Sequence, residues 1–510
     1  MSNRLILSLL LLTAAVSVQP QVVPEGLSPH LLCCDTLPAR APMQPSEWVP
    51  ERPVPVDYDS TRLYRQAVIL VEFSDMAFSM PDPVTYYDRV FNEHGYNLGV
   101  GPGCMADYLL AQSGGRLHVQ FDIFGPYRID FSACGDKPRS GYTGIYEFRD
   151  AATLFFADHP DLDYSVYDWK GDGNLTTLLC LFAGPGGDEK SSAYIYPNTG
   201  IKPFMPTTPD GREVEYVSTS VERYMRNGGG IRGLGTVAHE FMHSLGLPDV
   251  YPTVQTNFFS VVDTWDLMDG GNWLNLGWCP PNLSAPEKMY LGWLQPTVLT
   301  RDTLITGMRP VADGGEAYMI MHTANEYLLL ENRQQTGWDY AIPGHGLIIW
   351  HVDYRESLWV NNNVNSSRLR LNILPADNLS YNDWKARIDS ASTYTLTPMM
   401  RSRCMSTAAY PWSTDSTAFV NDCLTDQSTP SMLMNNTNAL GSRMLAAGIT
   451  DIRMDDDGAI SFAVHVDPVP IAVQQPTAPH AQQRKVIRNG TLYIISGNDT
   501  YTVTGLPLQR

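Results

Sequence analysis

Residues 237–251 read Val-Ala-His-Glu-Phe-Met-His-Ser-Leu-Gly-Leu-Pro-Asp-Val-Tyr. His239 and His243 stand four apart, so on a helix their imidazoles lie one above the other on a single face and can share one ion. Glu240, beside the first histidine, is placed to take a proton from a water activated at that ion. A helix built by this sequence stops at Gly246, which accepts the left-handed backbone of a C-terminal cap. Pro248 forbids continuation, and the chain turns back with Asp249 as a hard oxygen ligand. Two nitrogens and one oxygen leave a fourth tetrahedral position for water, the pattern of a catalytic rather than a structural zinc site. The nitrogen-rich set favours zinc over other ions.

The surrounding residues agree with a helix over 231–245. Ile231, Leu234, Ala238, Phe241 and Leu245 form one apolar stripe at spacings of three and four. His239 and His243 lie off that stripe, whereas histidines serving only as packed core would sit on it. A rival third ligand is a glutamate on a second helix. Between Phe241 and Gly315 the sole glutamate is Glu287, just inside a helix start expected at Ser284; Asp249 is the preferred ligand of the two.

Composition bounds the class. With 510 residues the chain is expected to hold two or more domains. A hydrophobic content of 43% with 17% charged residues is ordinary for a folded globular protein. The net charge of −19 argues against nucleic acid or an anionic membrane as partner. Arg4 followed by the apolar run Leu5–Val18 has the layout of a signal peptide over 1–18 and is short for a membrane span. A secreted protein, extracellular or at the cell surface, is therefore expected. No later segment offers about 20 consecutive apolar residues, so no integral membrane association is expected.

The cysteines at 33, 34, 104, 134, 180, 279, 404 and 423 are too sparse for a disulfide-built fold. Cys404 and Cys423 flank an irregular stretch and are the best candidate pair. Cys180, inside Leu178-Leu-Cys-Leu-Phe182, reads as a buried strand thiol.

Along the chain, residues 19–62 are Pro-rich and aperiodic, a leader or pro-segment. Residues 63–295 alternate strands and helices. Val68–Phe73 and Leu175–Phe182 read as buried strands, and Leu117, Val119, Phe121 and Ile123 as one face of a third. Tyr86–Asn92 and Tyr146–Ala157 read as helices. Residues 296–467 are strand- and turn-rich, with Tyr327–Leu330, Gly346–His351 and an Asp457-Gly458 hairpin signal before Ala459–Val466. They read as an accessory β-rich domain. Residues 468–484 are a linker by composition, and 485–510 alternate like two strands joined by a turn. That tail is similar to a shortened sorting signal of exported bacterial surface proteins, with a plain terminal hairpin as the alternative.

Asp168-Trp-Lys-Gly-Asp172-Gly-Asn174 offers oxygen side chains at alternate positions and a glycine for the bend, as a calcium loop does. Lys170 occupies a ligand position and no bidentate glutamate follows, so a plain turn is preferred and Ca²⁺ on Asp168, Asp172 and Asn174 is the alternative. His345 and His351 read as packed residues.

His239-Glu240-x-x-His243-x-x-Gly246-x-x-Asp249 resembles the metzincin zinc signature in its aspartate-ending form. Trp265-Asp-Leu-Met268-Asp-Gly-Gly271 resembles the methionine turn of that class. The fuller string Gly246-Leu-Pro-Asp249-x-Tyr251, with Tyr290-Leu-Gly-Trp293, Met105-Ala-Asp-Tyr108, Glu331-Asn-Arg-Gln334 and Pro343-Gly-His-Gly-Leu-Ile-Ile-Trp-His351, is similar to the immune inhibitor A-type secreted metallopeptidases. The resemblance covers roughly residues 65–465 and implies an α+β fold. A metzincin-like zinc-protease domain over 63–295, a mixed twisted sheet with an active-site helix, would be followed by the β-rich domain. It implies one zinc on His239, His243 and Asp249, Glu240 as general base, and Gly246 and Met268 in structural support. It also implies protein or peptide substrates and inhibition by the N-terminal segment. The alternative from another class is a catalytically silent adhesin or glycan- or matrix-binding protein on the same scaffold, against which stand intact His239, Glu240, His243 and Asp249.

Overall fold

The structure, a computed structural model, describes residues 59–96, 101–134, 144–189, 194–200, 204–224, 229–254, 260–391, 404–413 and 420–466, and three strands between 483 and 502. The expected signal peptide at 1–18, nearly all of the Pro-rich segment 19–62, and nearly all of the expected linker 468–484 lie outside the described residues.

The first half is organised by strands β1 (Leu63–Glu72), β2 (His118–Arg128), β3 (Leu175–Pro185), β4 (Thr199–Gly200) and β5 (Val214–Arg223). They form one sheet in the order β2-β1-β3-β5-β4, parallel except for the edge strand β4, which runs antiparallel to β5. A parallel sheet needs cover on both faces, which is why Ala67 to Val71 is an unbroken buried run. Its side chains alternate between two cores. Val68 and Leu70 join Leu179 and Leu181 on one face, while Ala67, Ile69 and Val71 join Leu178, Cys180 and Phe182 on the other.

Helices α1 (Pro83–Asn92), α2 (Met105–Gln112) and α4 (Gly235–Ser244) cover the first face, and α3 (Ile145–Asp158) covers the second. Helix α1 begins where its sequence dictates: Pro83 opens it, and the Asp82 side chain accepts from the Thr85 N–H.

Helix α4 starts at Gly235 rather than at Ile231 as the apolar stripe suggested. Ile231 instead bridges Arg223, and the Arg232 N–H donates to the Glu222 carbonyl, extending β5. The next turns pass so close to other backbone that a Cβ at Gly233 would lie 2.3 Å from the Gly277 carbonyl carbon, and one at Gly235 2.2 Å from the Asn272 oxygen. Tertiary contact overrides the local pattern there.

After helix α5 (Ala285–Tyr290), a second sheet contains β6 (Thr297–Val298), β8 (Tyr318–Met321), β9 (Glu326–Arg333), β10 (Gly346–Asp353) and β11 (Leu371–Ile373), in the order β11-β10-β9-β8-β6. Strands β12 (Trp412–Ser413) and β13 (Val420–Asn421) pair antiparallel, and a third sheet, order β14-β15-β16-β7, contains β7 (Thr303–Met308), β14 (Leu424–Thr425), β15 (Ala447–Met454) and β16 (Ile460–Val466). The second sheet is buried on both faces. Leu328, Leu330, Leu347 and Ile349 pack toward Ile449, Phe462 and Val464 of the third sheet. Tyr327, Leu329, Ile348, Trp350 and Val352 belong to the same core as Phe241 and Met242 of α4. The hydrophobic core beneath the motif helix is thus continuous across residue 295.

At that junction Arg333 donates to both Asp339 oxygens, at 2.7 and 2.6 Å, and also to the Trp265 and Asn282 carbonyls. Short helix α6 (Glu356–Val360) leads into a loop at 361–366, and α7 spans Tyr381–Ala391. At the C-terminal end, three strands rather than two pair antiparallel, Gln483–Arg488, Thr491–Ser496 and Asp499–Thr502, because the residues before Asn489 supply a strand of their own.

The expected Cys404–Cys423 disulfide is absent: among the described residues all six cysteines are free thiols. Cys404 is buried, and burial together with the neighbouring Asp263 pushes its thiol well above the usual range. No helix among the described residues is long and apolar enough to cross a membrane.

Candidate metal centre

Helix α4 ends in a left-handed glycine, and that ending builds half of the site. Gly246 has φ +97°. Its N–H donates to the His243 carbonyl at 2.8 Å and the Leu247 N–H donates to the Met242 carbonyl at 3.1 Å, the paired bonds of a Schellman cap. The reversal brings the Leu247 carbonyl back over the helix, where it accepts from His243 Nδ1 at 2.8 Å. The turn Trp265–Gly271 does the same for the other histidine: the Leu267 carbonyl accepts from His239 Nδ1 at 2.8 Å. That turn is tied to the ligand segment, since the Val250 N–H donates to the Met268 carbonyl at 2.8 Å. Met268 is fully buried.

A carbonyl can only accept, so both histidines carry their proton on Nδ1 and turn an Nε2 lone pair inward. Each Nε2 lies 3.2 Å from Asp249 Oδ1. His239, His243 and Asp249 are the buried group whose ligand atoms converge, and Glu287 is not among them. His239 Nε2, His243 Nε2 and Asp249 Oδ1 are all buried and have no hydrogen-bond partner. Two lone pairs and a carboxylate oxygen facing one another without a proton between them are mutually repulsive, and a cation resolves that conflict. Burial opposes ionisation of Asp249, but positive charge at the imidazole pair outweighs it and holds the carboxyl well below its usual range, a charge that a bound cation supplies when both Nε2 atoms are unprotonated. The donor set fits a divalent metal ion.

Glu240 projects from the same helix and is also buried. The hydroxyl of Thr199, on edge strand β4, lies 2.7 Å from the Glu240 carbonyl and 3.2 Å from its Oε2. Thr199 also reaches Ser218 Oγ on β5 at 3.0 Å. The general-base candidate is thereby placed against the sheet edge.

Asp249 is gripped from the second half of the chain. Its N–H donates to Asn362 Oδ1 and its Oδ2 accepts from Asn362 Nδ2, each at 2.6 Å. Neither Thr199 nor Asn362 stands out in the sequence. Asn362 lies in Val360-Asn-Asn-Asn-Val364, which signals a turn and says nothing of a partner far upstream.

Glu287 has other duties. It is the third residue of α5 and its Oε2 accepts from the Ser284 N–H at 2.7 Å and the Ser284 hydroxyl at 3.0 Å, a capping box. Its Oε1 and Asp266 Oδ2 are buried without a donor, and the two carboxyls influence one another beneath the Trp265–Gly271 turn. Burial raises both acids above their usual range, with the neighbouring carboxylate adding to the shift at Glu287.

In the Asp168–Asn174 loop the Asp168 oxygens accept from the N–H groups of Gly171, Asp172 and Gly173 at 2.6, 3.2 and 2.8 Å, with Arg212 3.6 Å away. Lys170 pairs with Glu215 at 2.6 Å, and Asp172 accepts from the Asn174 N–H. A calcium ion there would compete with these donors. His351 is a packed residue hydrogen-bonded to Glu326 and Asn372, whereas His345, also expected to be packed, is exposed just before β10.

Residues 221–294 match the family of the immune inhibitor A peptidase M6, catalytic domain. That stretch contains all of α4, Asp249, the Trp265–Gly271 turn and α5. Over 257 residues the chain is 24% identical to the pre-pro-metalloprotease PrtV of Vibrio cholerae serotype O1, covering 43% of this chain and 27% of the relative. Over 267 residues it is 26% identical to Immune inhibitor A of Bacillus thuringiensis subsp. alesti, covering 44% of this chain and 39% of the relative. The matches span well under half the length of these curated relatives.

Proposed function

The chain belongs to the immune inhibitor A-type metallopeptidases, and from that premise we propose that it is a secreted zinc-dependent endopeptidase acting on extracellular proteins. The observation that carries the reading is the convergence of three buried, unpartnered donor atoms from His239, His243 and Asp249. Zinc bonds of about 2.0–2.2 Å set the donors of a tetrahedral site roughly 3.3–3.5 Å apart, and the two histidine–aspartate separations are 3.2 Å. Bound there, zinc would supply Lewis acidity, lowering the pKa of a water and polarising the scissile carbonyl.

The side chains do the rest. The Leu247 and Leu267 carbonyls fix both imidazole tautomers and so keep both Nε2 atoms available. Glu240 accepts a proton from the attacking water and returns it to the departing amine, held in place by Thr199. Gly246 supports the site through the cap, and Met268 through the turn that carries Leu267. Residues 63–295 supply this metzincin-like chemistry. Residues 296–467 act as an accessory β-rich domain that buttresses it, a role supported by the core they share and by Asn362. The Asp168–Asn174 loop is a plain turn, organised by Asp168.

The test is hydrolysis of casein or gelatin by the purified full chain, before and after zinc chelation and after zinc is restored. We expect activity to vanish on chelation and return with zinc. Hydrolysis indifferent to chelation, or none by a protein that holds one equivalent of zinc and has had its N-terminal segment cleaved off, would overturn the proposal.

A further inference from the structure

The third ligand of the metal centre makes a reciprocal pair of contacts with one side chain 113 residues away. The Asp249 N–H can only donate, so it meets the amide oxygen of Asn362. The Asp249 carboxylate can only accept, so it meets the amide nitrogen. The amide therefore cannot be turned over without losing both bonds. Both residues are buried, Asn362 being 4% exposed and Asp249 fully enclosed.

Asn362 is itself held. Its φ is +54°, a left-handed conformation that asparagine adopts more readily than most residues. Its N–H donates to the Trp359 carbonyl at 3.2 Å and its carbonyl accepts from the Thr253 hydroxyl. Three residues on, Asn365 Nδ2 donates to the Val250 carbonyl at 2.6 Å. The loop after α6 thus straps the segment that carries the ligand.

We propose that Asn362 is a positioning residue of the metal centre. By occupying Oδ2 and the backbone N–H of Asp249, it leaves Oδ1 as the single oxygen aimed between His239 Nε2 and His243 Nε2. This inference rests on the reading of His239, His243 and Asp249 as the metal site. It adds that ligation by Asp249 is monodentate and that the β-rich half completes the metal centre. Partners one bond removed from a metal typically change affinity about 10- to 100-fold when lost.

The test uses the full chain and reads zinc affinity by competition with a chromophoric chelator, together with the visible absorption of the cobalt(II)-substituted protein. Asn362→Gly deletes the amide while tolerating the positive φ. It should weaken zinc binding about 10- to 100-fold and alter the cobalt spectrum. Asn362→Asp keeps an acceptor for the Asp249 N–H but sets carboxylate against carboxylate, and should weaken zinc at least as much. Asn365→Ala loosens the same loop while leaving both Asp249–Asn362 bonds in place, and should weaken zinc clearly less than Asn362→Gly does. Unchanged zinc affinity and cobalt spectrum in Asn362→Gly, while Asp249→Ala loses the metal, would overturn the inference and leave the site assignment standing. Equal loss in Asn365→Ala would also overturn it, reducing Asn362 to loop packing. A wild-type chain that binds no zinc would overturn the site assignment and this inference with it.

Discussion

Replacing Arg333 by methionine removes one charge from the junction between the second sheet and the Trp265–Gly271 turn while keeping most of the side-chain volume. Arg333 is 1% exposed, and four of its five N–H donors are directed: two at Asp339, the others at the Trp265 and Asn282 carbonyls. After the change Asp339 would stay buried with one conventional donor, the Asn282 N–H at 2.9 Å. Breaking a buried ion pair by removing one partner costs about 3–5 kcal/mol, because the other charge is left without compensation. Removing both charges, as in Arg333→Met with Asp339→Leu, eliminates that penalty for Asp339 but leaves buried Glu331, 3.8 Å from Arg333 in the wild type, without that cation, and leaves the two carbonyls and the Asn282 N–H unpaired, each at about 1–3 kcal/mol. The double variant should therefore remain destabilised, yet by less than the sum of the singles, with a coupling energy on the order of 2–3 kcal/mol. Urea unfolding followed by tryptophan fluorescence measures this. It is best done on metal-free protein in a Glu240→Ala background, so that neither zinc nor self-cleavage enters the equilibrium. A cost below about 1 kcal/mol for Arg333→Met, or strict additivity in the double variant, would refute the reasoning.

Three further expectations follow from the site. Glu240→Ala should retain one zinc by metal analysis and lose turnover by about 10²- to 10⁴-fold, since the glutamate is not a ligand; near-normal turnover with zinc bound would remove it from the mechanism. Asp249→Ala should lose zinc on dialysis against buffered free metal, whereas Glu287→Gln should keep it; the reverse pattern would transfer the third-ligand role to Glu287. The Asp266–Glu287 pair also makes a pH prediction. Both carboxyls are raised in the folded state, Glu287 most, so their contribution to stability is complete below the unfolded carboxylate range and is lost as pH rises through the folded values. Glutamine at 287 retains a donor for Asp266 and an acceptor for the Ser284 N–H but cannot ionise. Thermal unfolding at pH 6 and pH 9 should therefore show a smaller alkaline loss for Glu287→Gln than for the wild type, and parallel curves would contradict the shared-proton picture.

The parts of the molecule legible in the sequence are those in which neighbours along the chain are also neighbours in space. Val68–Phe73 and Leu175–Phe182 announce themselves as buried strands because a parallel sheet covered on both faces leaves no polar alternate. His239, His243 and Asp249 lie within one helix and the turn that follows, so spacing alone brings them together. Legibility fails where long-range contacts decide. Ile231 continues the apolar stripe of α4, yet pairing with Arg223 and the tight approach of Gly233 to Gly277 keep it out of the helix. Cys404 and Cys423 are close in sequence, but Cys404 is drawn to Asp263. Glu287 sits at a helix start in the sequence, and only the structure places Asp266 beside it. Asn362 and Thr199 carry no local mark, because their partners come from other elements.

The cap at Gly246 has a consequence in terms of chirality. Its backbone, at φ +97°, has the handedness natural to a D-amino acid. An L-side chain there would pull the turn away from that conformation and, with it, the Leu247 carbonyl that selects the proton position on His243. A D-residue introduced by chemical synthesis would keep the backbone unstrained. In a chain made on the ribosome the achiral residue meets the requirement with least strain, so the imidazole tautomer of a proposed metal-site histidine is set by a position that has no side chain at all.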